Sequence, residues 1–283
     1  MKRFFYISSL CLLAALWASC EEVIEVETPT EDPRLIVDAL IRVDTTEAFT
    51  NVRIKVSETR SFFETLPAAG LDQITLTGLD GGFAEILVEE EPGSGIYSKL
   101  VSTQGLIGEE IFLQIDYQGE FFVAYTEFVP SAPIDSIVQG DGTIFGDDDV
   151  ELIVTFTDPP DREDYYLFDF DFANYLVSED TFYQGQQFGF SYFYEDGLDP
   201  GTEVEISIMG ADLDFYNYMG LLIEQSEGGF GPFETPSVTV RGNLINATTI
   251  DNDENFDNVN TSDNFALGYF AIVQEYKQIV TIE

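Results

Sequence analysis

The chain contains no histidine, and only two cysteines in 283 residues, Cys11 and Cys20. Its one tryptophan is Trp17. Basic side chains are scarce: 11 Lys+Arg stand against 53 Asp+Glu, a formal charge of −42. Each shortage excludes a class of chemistry. Without histidine, and without a cysteine past position 20, Ser-His-Asp and Cys-His nucleophilic catalysis lack their parts. Ordinary zinc tetrahedra, built from His and Cys, are excluded with them. Hard cations that prefer oxygen, such as calcium or magnesium, stay open. A carboxylate-pair glycosidase also stays open, although acids this dense bring carboxylates together by chance. The acidic surplus excludes nucleic acid as an ordinary partner, because phosphates are repelled. It also opposes electrostatic docking on anionic lipid. Two readings of the charge remain. One is solubility in a salty medium that screens charge over about 10 Å; the other is attraction of cations or basic partners.

Long apolar runs are missing too. No segment after the first residues approaches about 18 uninterrupted apolar positions, so no transmembrane helix is expected. The first residues read as an export signal, residues 1–19. Lys2 and Arg3 supply its positive start, and Phe4 to Leu16 its apolar stretch, too short to span a bilayer. Ala18 and Ser19 are the small residues a signal peptidase requires, and Cys20 follows them. Small residues before a cysteine form the pattern of a bacterial lipobox, with Trp17 where an aliphatic residue is usual. Cleavage before Cys20 leaves its sulfur and new amine for acylation, with diacylglycerol attached as a thioether. Two or three acyl chains anchor a protein stably, where one binds only marginally. The competing reading is an ordinary secretory signal with a chance cysteine. Cys11 leaves with the signal, so the mature chain has no pair of cysteines for an internal disulfide. Its stability must come from packing.

Residues 20–33, "CEEVIEVETPTEDP", are acidic, contain proline and carry no core pattern, and read as a tether. From Arg34 the pattern is short β-strands. Leu35 to Ile41 is apolar. Val52, Ile54 and Val56 alternate with Arg53 and Lys55, the period of a half-buried strand. Ile74 to Leu76 and Ala84 to Val88 flank a turn at Asp80-Gly81-Gly82. Residues 109–128 read as a hairpin turning at Gln118-Gly119. The prolines of "FVPSAPIDSI" suggest a linker at 130–136. Beyond it, Val150 to Thr157 is rich in β-branched residues. Two aromatic stripes follow: Tyr166, Phe168, Phe170 and Phe172, then Phe188, Phe190, Tyr192 and Tyr194. They read as sandwich core or a cross-strand ladder, or as a stacking platform for a sugar or peptide. Absence of tryptophan after the signal counts against a sugar platform. One helix is expected near 212–226, with Leu213, Tyr216, Met219 and Ile223 at helical spacing, Asp212 as N-cap and Gly228-Gly229 as stop. Final strands are expected at Ser237 to Arg241, Phe265 to Val273 and Ile279 to Ile282. This is an all-β chain of two β-sandwich domains of Ig-like or prealbumin-like kind: 34–129, and 137–283 with the helix.

Few motifs stand above the acidic background. Glu21-Glu22 after the lipid cysteine is similar to the surface-export signal of Bacteroidota lipoproteins; the bland reading is an acidic tether. Asp251, Asp253, Asn255 and Asp257 offer oxygen ligands at alternate positions, as a calcium loop begins. Phe256 and Ser262 stand where an EF-hand requires Gly and Glu, so it is not an EF-hand. An unrelated calcium site competes there with a solvated acidic loop. Gly146-Asp147-Asp148-Asp149 is weaker still. Asp44-Thr45-Thr46 and Asp135-Ser136-Ile137 resemble the O-glycosylation signal of the same phylum.

Five stretches in order, "GEFFVAYTEFVPSAPIDSI", "VTFTDPPDREDYYLF", "FYNYMGLLIE", "GPFETPSVTVRGNLIN" and "ALGYF", resemble the Bacteroidota lipoprotein family called domain of unknown function 4249. The resemblance covers nearly all of the chain after the signal. It departs at Asp164, where members often carry Asn before the Tyr pair. The resemblance implies an outer-membrane lipoprotein, often encoded beside TonB-dependent receptors of the SusC/RagA type, and carries no catalytic residues. The expectation is a non-enzymatic, lipid-anchored protein on the cell exterior, acting as a binding or accessory module of such a receptor. The alternatives are a structural or adhesive surface lipoprotein stabilised by calcium, and a carboxylate-dependent hydrolase.

Overall fold

The computed structural model describes residues 32–61, 64–144, 146, 149–195, 197–226, 239–252, 254, 256, 258 and 265–283. The chain divides into two compact units, Met1–Asp32 with Ser61–Phe63, and Pro33–Arg60 with Glu64–Glu283. Every strand and helix below belongs to the second. The predicted signal, cleavage and lipidation residues Ala18, Ser19 and Cys20, and the acids Glu21 and Glu22, lie outside the described residues.

In chain order the strands are β1 (Leu35–Val43), β2 (Phe49–Glu58), β3 (Gln73–Gly78), β4 (Ala84–Ile86), β5 (Val88–Glu89) and β6 (Ile96–Ser102). A short helix α1 (Thr103–Ile107) leads to β7 (Ile111–Tyr117), β8 (Glu120–Thr126) and β9 (Phe128–Val129). Then come β10 (Ile134–Gln139), β11 (Val150–Thr157), β12 (Tyr165–Asp169), β13 (Tyr175–Glu179), β14 (Gln187–Tyr194) and β15 (Glu203–Ala211). Helix α2 (Leu213–Ser226), β16 (Ile245–Asn246) and β17 (Leu267–Thr281) complete the order. Among the described residues no helix is long and apolar enough to cross a membrane.

A nine-stranded sheet runs β13-β12-β15-β17-β1-β2-β6-β5, with β9 attached to β17. Its centre is β17, which is 15 residues long. The first half of β17 pairs parallel with β1, from Ile36↔Leu267 to Val43↔Gln274. Its second half pairs antiparallel with β15, from Met209↔Glu275 to Glu203↔Thr281. Two smaller sheets cover one face. The five-stranded β16-β8-β7-β3-β4 and the three-stranded β10-β11-β14 each close a sandwich against part of the long sheet.

Period-two burial explains this placement. Val37, Ala39 and Ile41 of β1, Val52 and Ile54 of β2, and Phe270 and Ile272 of β17 enter the first core. Tyr276 and Val280, on the same face of β17, reach the second core with Tyr166, Phe168, Val204 and Ile206. The opposite face carries Leu167, Met209, Ala271 and Val273, and α2 covers these with Phe215 and Met219. The segment expected as a linker, 130–136, is part of the fold instead: Ala132 and Ile134 enter the second core and β10 begins at Ile134, while the long sheet runs unbroken from one core to the other.

Several expected elements are present as read. The turn at Gln118-Gly119 has φ of 52° and 83°, the left-handed pair a tight hairpin needs. Strand β11 spans Val150–Thr157. Asp212 caps α2, accepting from the Phe215 N–H at 2.7 Å through its side chain.

Other expectations are corrected. The strand expected at 84–88 breaks at the buried Leu87, because β4 pairs with β3 in one sheet and β5 with β6 in another. Residues 239–241 form no strand. The two strands expected at 265–273 and 279–282 are the single β17. Helix α2 buries Met219 as expected, with Tyr216 packed against the same core, and adds Phe215, whereas Leu213 is 51% exposed. Phe172 leaves its stripe, because Asp171, Phe172 and Ala173 all have positive φ and turn the chain. The stop at Gly228-Gly229 lies outside the described residues.

Candidate functional site

The aromatic stripes meet inside the second sandwich. Phe168 of β12 sits edge-on to Phe190 of β14 at 5.0 Å, and Phe170 stacks on Tyr192 at 3.8 Å. Phe156 of β11 touches Tyr166, Phe168, Tyr183 and Phe188. The rings hold the two sheets together, so the stripes are core and not a free platform for a ligand.

At one end of this core three aspartates converge. Asp158 follows β11, Asp164 precedes β12, and Asp180 follows β13. They are 1%, 5% and 2% exposed. One carboxylate oxygen from each lies within 4.8 Å of the other two. Asp158 accepts from the Tyr166 O–H at 2.5 Å and the Gly185 N–H at 2.8 Å. Gly185 has φ of 69°, and a Cβ there would sit 2.8 Å from Pro160 Cβ. Only glycine fits that donor in place. Asp180 accepts from the Asp164 N–H at 2.8 Å, and the Asp180 N–H returns a bond to the Asp164 carbonyl at 3.1 Å. Arg162 pairs with Asp164 at 2.6 Å and donates to the Ser131 carbonyl.

Burial raises the Asp164 pKa, against the opposing pull of Arg162. Burial also pushes the Tyr183 hydroxyl, beside Asp158 and Asp180, up to about 12. Three buried carboxylates facing one guanidinium are expensive to desolvate. Oxygens so close are the kind a hard cation such as calcium takes as ligands. The same oxygens also accept from Tyr166, Gly185, Asp164 and Arg162, which makes the cluster a hydrogen-bonded polar core.

A second polar feature lies on the other face of the long sheet. There Asp38 and Arg42 of β1, Asn51, Arg53 and Lys55 of β2, and Tyr175 of β13 line a cleft of about 370 Å³. Arg42 donates to Asp169 at 2.7 Å and to Glu275 at 3.1 Å. Burial works against its charge, but Asp169 first and Glu275 behind it raise its pKa overall.

Of the residues chosen from sequence for calcium, Asp251 is described and exposed; Asp253, Asn255 and Asp257 lie outside the described residues. Asp147 and Asp148 lie outside them too. At Asp44-Thr45-Thr46 the Thr46 hydroxyl donates to Asp44 at 2.6 Å. Asp135 and Ser136 are exposed on β10. Neither polar feature was chosen from sequence. The signal available was Asp164, a departure within "DPPDREDYYLF", and the outward Arg53 and Lys55 of an alternating strand.

Fold and site together define a β-sandwich protein in which one long mixed sheet carries two sandwiches and a helix, with polar features on opposite faces. The chain belongs to the family described as Domain of unknown function (DUF4249), whose model matches residues 21–279. No curated protein matches the chain.

Proposed function

We propose that this is a lipid-anchored outer-membrane lipoprotein facing the cell exterior, a non-catalytic binding or accessory module of a TonB-dependent receptor of the SusC/RagA type. The observation that carries the reading is Ala18-Ser19-Cys20 after the basic and apolar start, with Glu21-Glu22 following. Family membership supports it through the resemblance to Bacteroidota lipoproteins. The architecture suits a rigid module on a tether. Strand β1 starts at Leu35, so the residues from Cys20 to Arg34 set the reach from lipid to sandwich, at most roughly 50 Å. Replacing Cys20 with Ser leaves an uncleaved or soluble protein; normal anchoring of that variant, followed by membrane fractionation, would overturn the lipid assignment. The receptor is tested by affinity capture of the protein from membranes in mild detergent. Failure to recover a TonB-dependent receptor from its own locus counts against partnership and leaves the anchor standing.

The alternative, a structural or adhesive surface lipoprotein stabilised by calcium, has one observation in its favour, the closeness of Asp158, Asp164 and Asp180. Thermal unfolding in calcium and in chelator separates the readings, since an unchanged melting temperature removes the ion. A carboxylate-dependent hydrolase needs acids that reach a substrate, and these three are at most 5% exposed.

A further inference from the structure

We propose that the cleft between β1, β2 and β13 binds a small ligand carrying an oxyanion, a carboxylate or a phosphate, beside a ring or short apolar group. The site stands on described strands alone, and neither the anchor nor the receptor reading enters it. Three of the chain's 11 Lys and Arg line this one cleft. In a chain with 53 acids the general field repels anions. Only a place where cations are gathered can hold one.

The three cations have different roles. Arg42 is held by Asp169 and Glu275, so it is a fixed wall and not the main anchor. Arg53 turns its Nε toward Glu90 at 3.4 Å, and its terminal nitrogens make no other ion pair among the described residues. The Lys55 side chain makes neither a hydrogen bond nor an ion pair among the described residues, although Asp38 is its cross-strand neighbour. Arg53 and Lys55 project from the same face of β2, because Ile54 between them points into the core at 0% exposure. Alternate residues on a strand are roughly 7 Å apart, close enough for both side chains to reach one carboxylate or phosphate.

The other lining groups shape the ligand. Asn51 adds an amide that donates or accepts. Asp38 repels a second anionic group and accepts from a hydroxyl or ammonium. Tyr175 offers a ring edge or face at the side. The volume, about 370 Å³, lies at the small end of ligand pockets, which run from roughly 300 to 1,000 Å³.

Calorimetric titration of the purified full-length protein in detergent, at low salt, tests the assignment. The probes are glucuronate, inorganic phosphate, and glucose as a neutral match. Expected is binding of an anion, no binding of glucose, and weakening as salt rises. Lys55→Gln and Arg53→Gln should each weaken anion affinity about tenfold, with melting temperature unchanged because both side chains are exposed. Tighter glucuronate than phosphate, weakened by Tyr175→Ala, assigns a carboxylate on a ring. Tighter phosphate assigns a phosphoryl group, and equal affinity assigns the shared oxyanion chemistry. The proposal is overturned if neither anion binds, if glucose binds as tightly as glucuronate, or if the Lys55→Gln/Arg53→Gln double variant binds as before.

Discussion

The first sandwich is filled almost wholly with aliphatic residues, and the second is far richer in rings. Val37, Ile41, Val52, Ile54, Ile74, Leu76, Leu113 and Ile115 dominate the first core. Phe156, Tyr166, Phe168, Phe170, Tyr183 and Tyr194 are the largest side chains buried in the second. The polar groups differ in the same sense. The first buries a hydroxyl pair, Thr50 with Thr103 at 2.9 Å. The second buries three carboxylates and the Tyr166 hydroxyl that binds one of them. Small branched side chains interdigitate on a pleated sheet and leave little to satisfy. Large rings span more of the gap between sheets, but tyrosine brings a polar tip that needs a partner. Asp158 meets that need for Tyr166, Ser178 for Tyr183 and the Phe170 carbonyl for Tyr194.

Strand β17 offers the sharpest test of how separate the two really are. It contributes Phe270 and Ile272 to the first core and Tyr276 and Val280 to the second. Neither sandwich keeps its sheet without it, so the two should unfold in one cooperative step. Circular dichroism and tyrosine fluorescence along a urea titration should give coincident curves. Two separated midpoints would make the sandwiches independent. Next in size is the contrast between cores. Phe168→Ala should cost about 3–5 kcal/mol, and Ile54→Val in the first core about 1 kcal/mol. Equal midpoint shifts in urea would remove the distinction.

Smaller again is the cluster's dependence on its guanidinium. Arg162→Gln leaves three buried carboxylates facing no cation. Breaking a buried pair costs about 3–5 kcal/mol, and the Arg162 side chain is 34% exposed, which lowers the expectation to roughly 2 kcal/mol. A loss below about 0.5 kcal/mol, the usual range of surface substitutions, would mean the cluster balances its charge by other means. Smallest is the pH effect of Asp164. Its folded pKa is raised above the unfolded value by burial. Its contribution to stability is therefore full below the ordinary aspartate pKa and is lost as pH rises through the folded one. Melting curves of wild type and Asp164→Asn should show the wild type's relative stability falling as pH rises through that window. The opposite slope would mean that Arg162 outweighs burial.

Much of the fold was legible in local pattern. Alternation in "NVRIKV" marks β2, β-branched residues mark β11, Gln118-Gly119 marks a hairpin, and Asp212 marks the start of α2. Each signal lives within a few residues, because strand period, turn conformation and capping are local. What was missed depends on partners far along the chain. Polar residues Gln274 to Gln278 look like a break between two strands. They are where β17 exchanges β1 for β15, and backbone pairing continues regardless of side chain. Tyr216 and Met219 of the expected helix face pack inward, but Phe215 and not Leu213 completes it, because apolar spacing alone does not say which neighbouring residue meets the sheet. Phe172 continued an alternating stripe that three positive-φ residues cut short.

Some properties belong to the sequence alone. Absence of histidine, the acid surplus, the Ala18-Ser19-Cys20 pattern and the prevalence of short β-strands need no coordinates, since they follow from composition and neighbouring residues. Tertiary structure decided which charges meet. Arg42 reaches Asp169 across 127 positions and Glu275 across 233, and the β11–β12 loop and the turn after β13 bring Asp158, Asp164 and Asp180 within 4.8 Å. Electrostatic interaction depends on distance through space and on exclusion of water, and a linear pattern records neither.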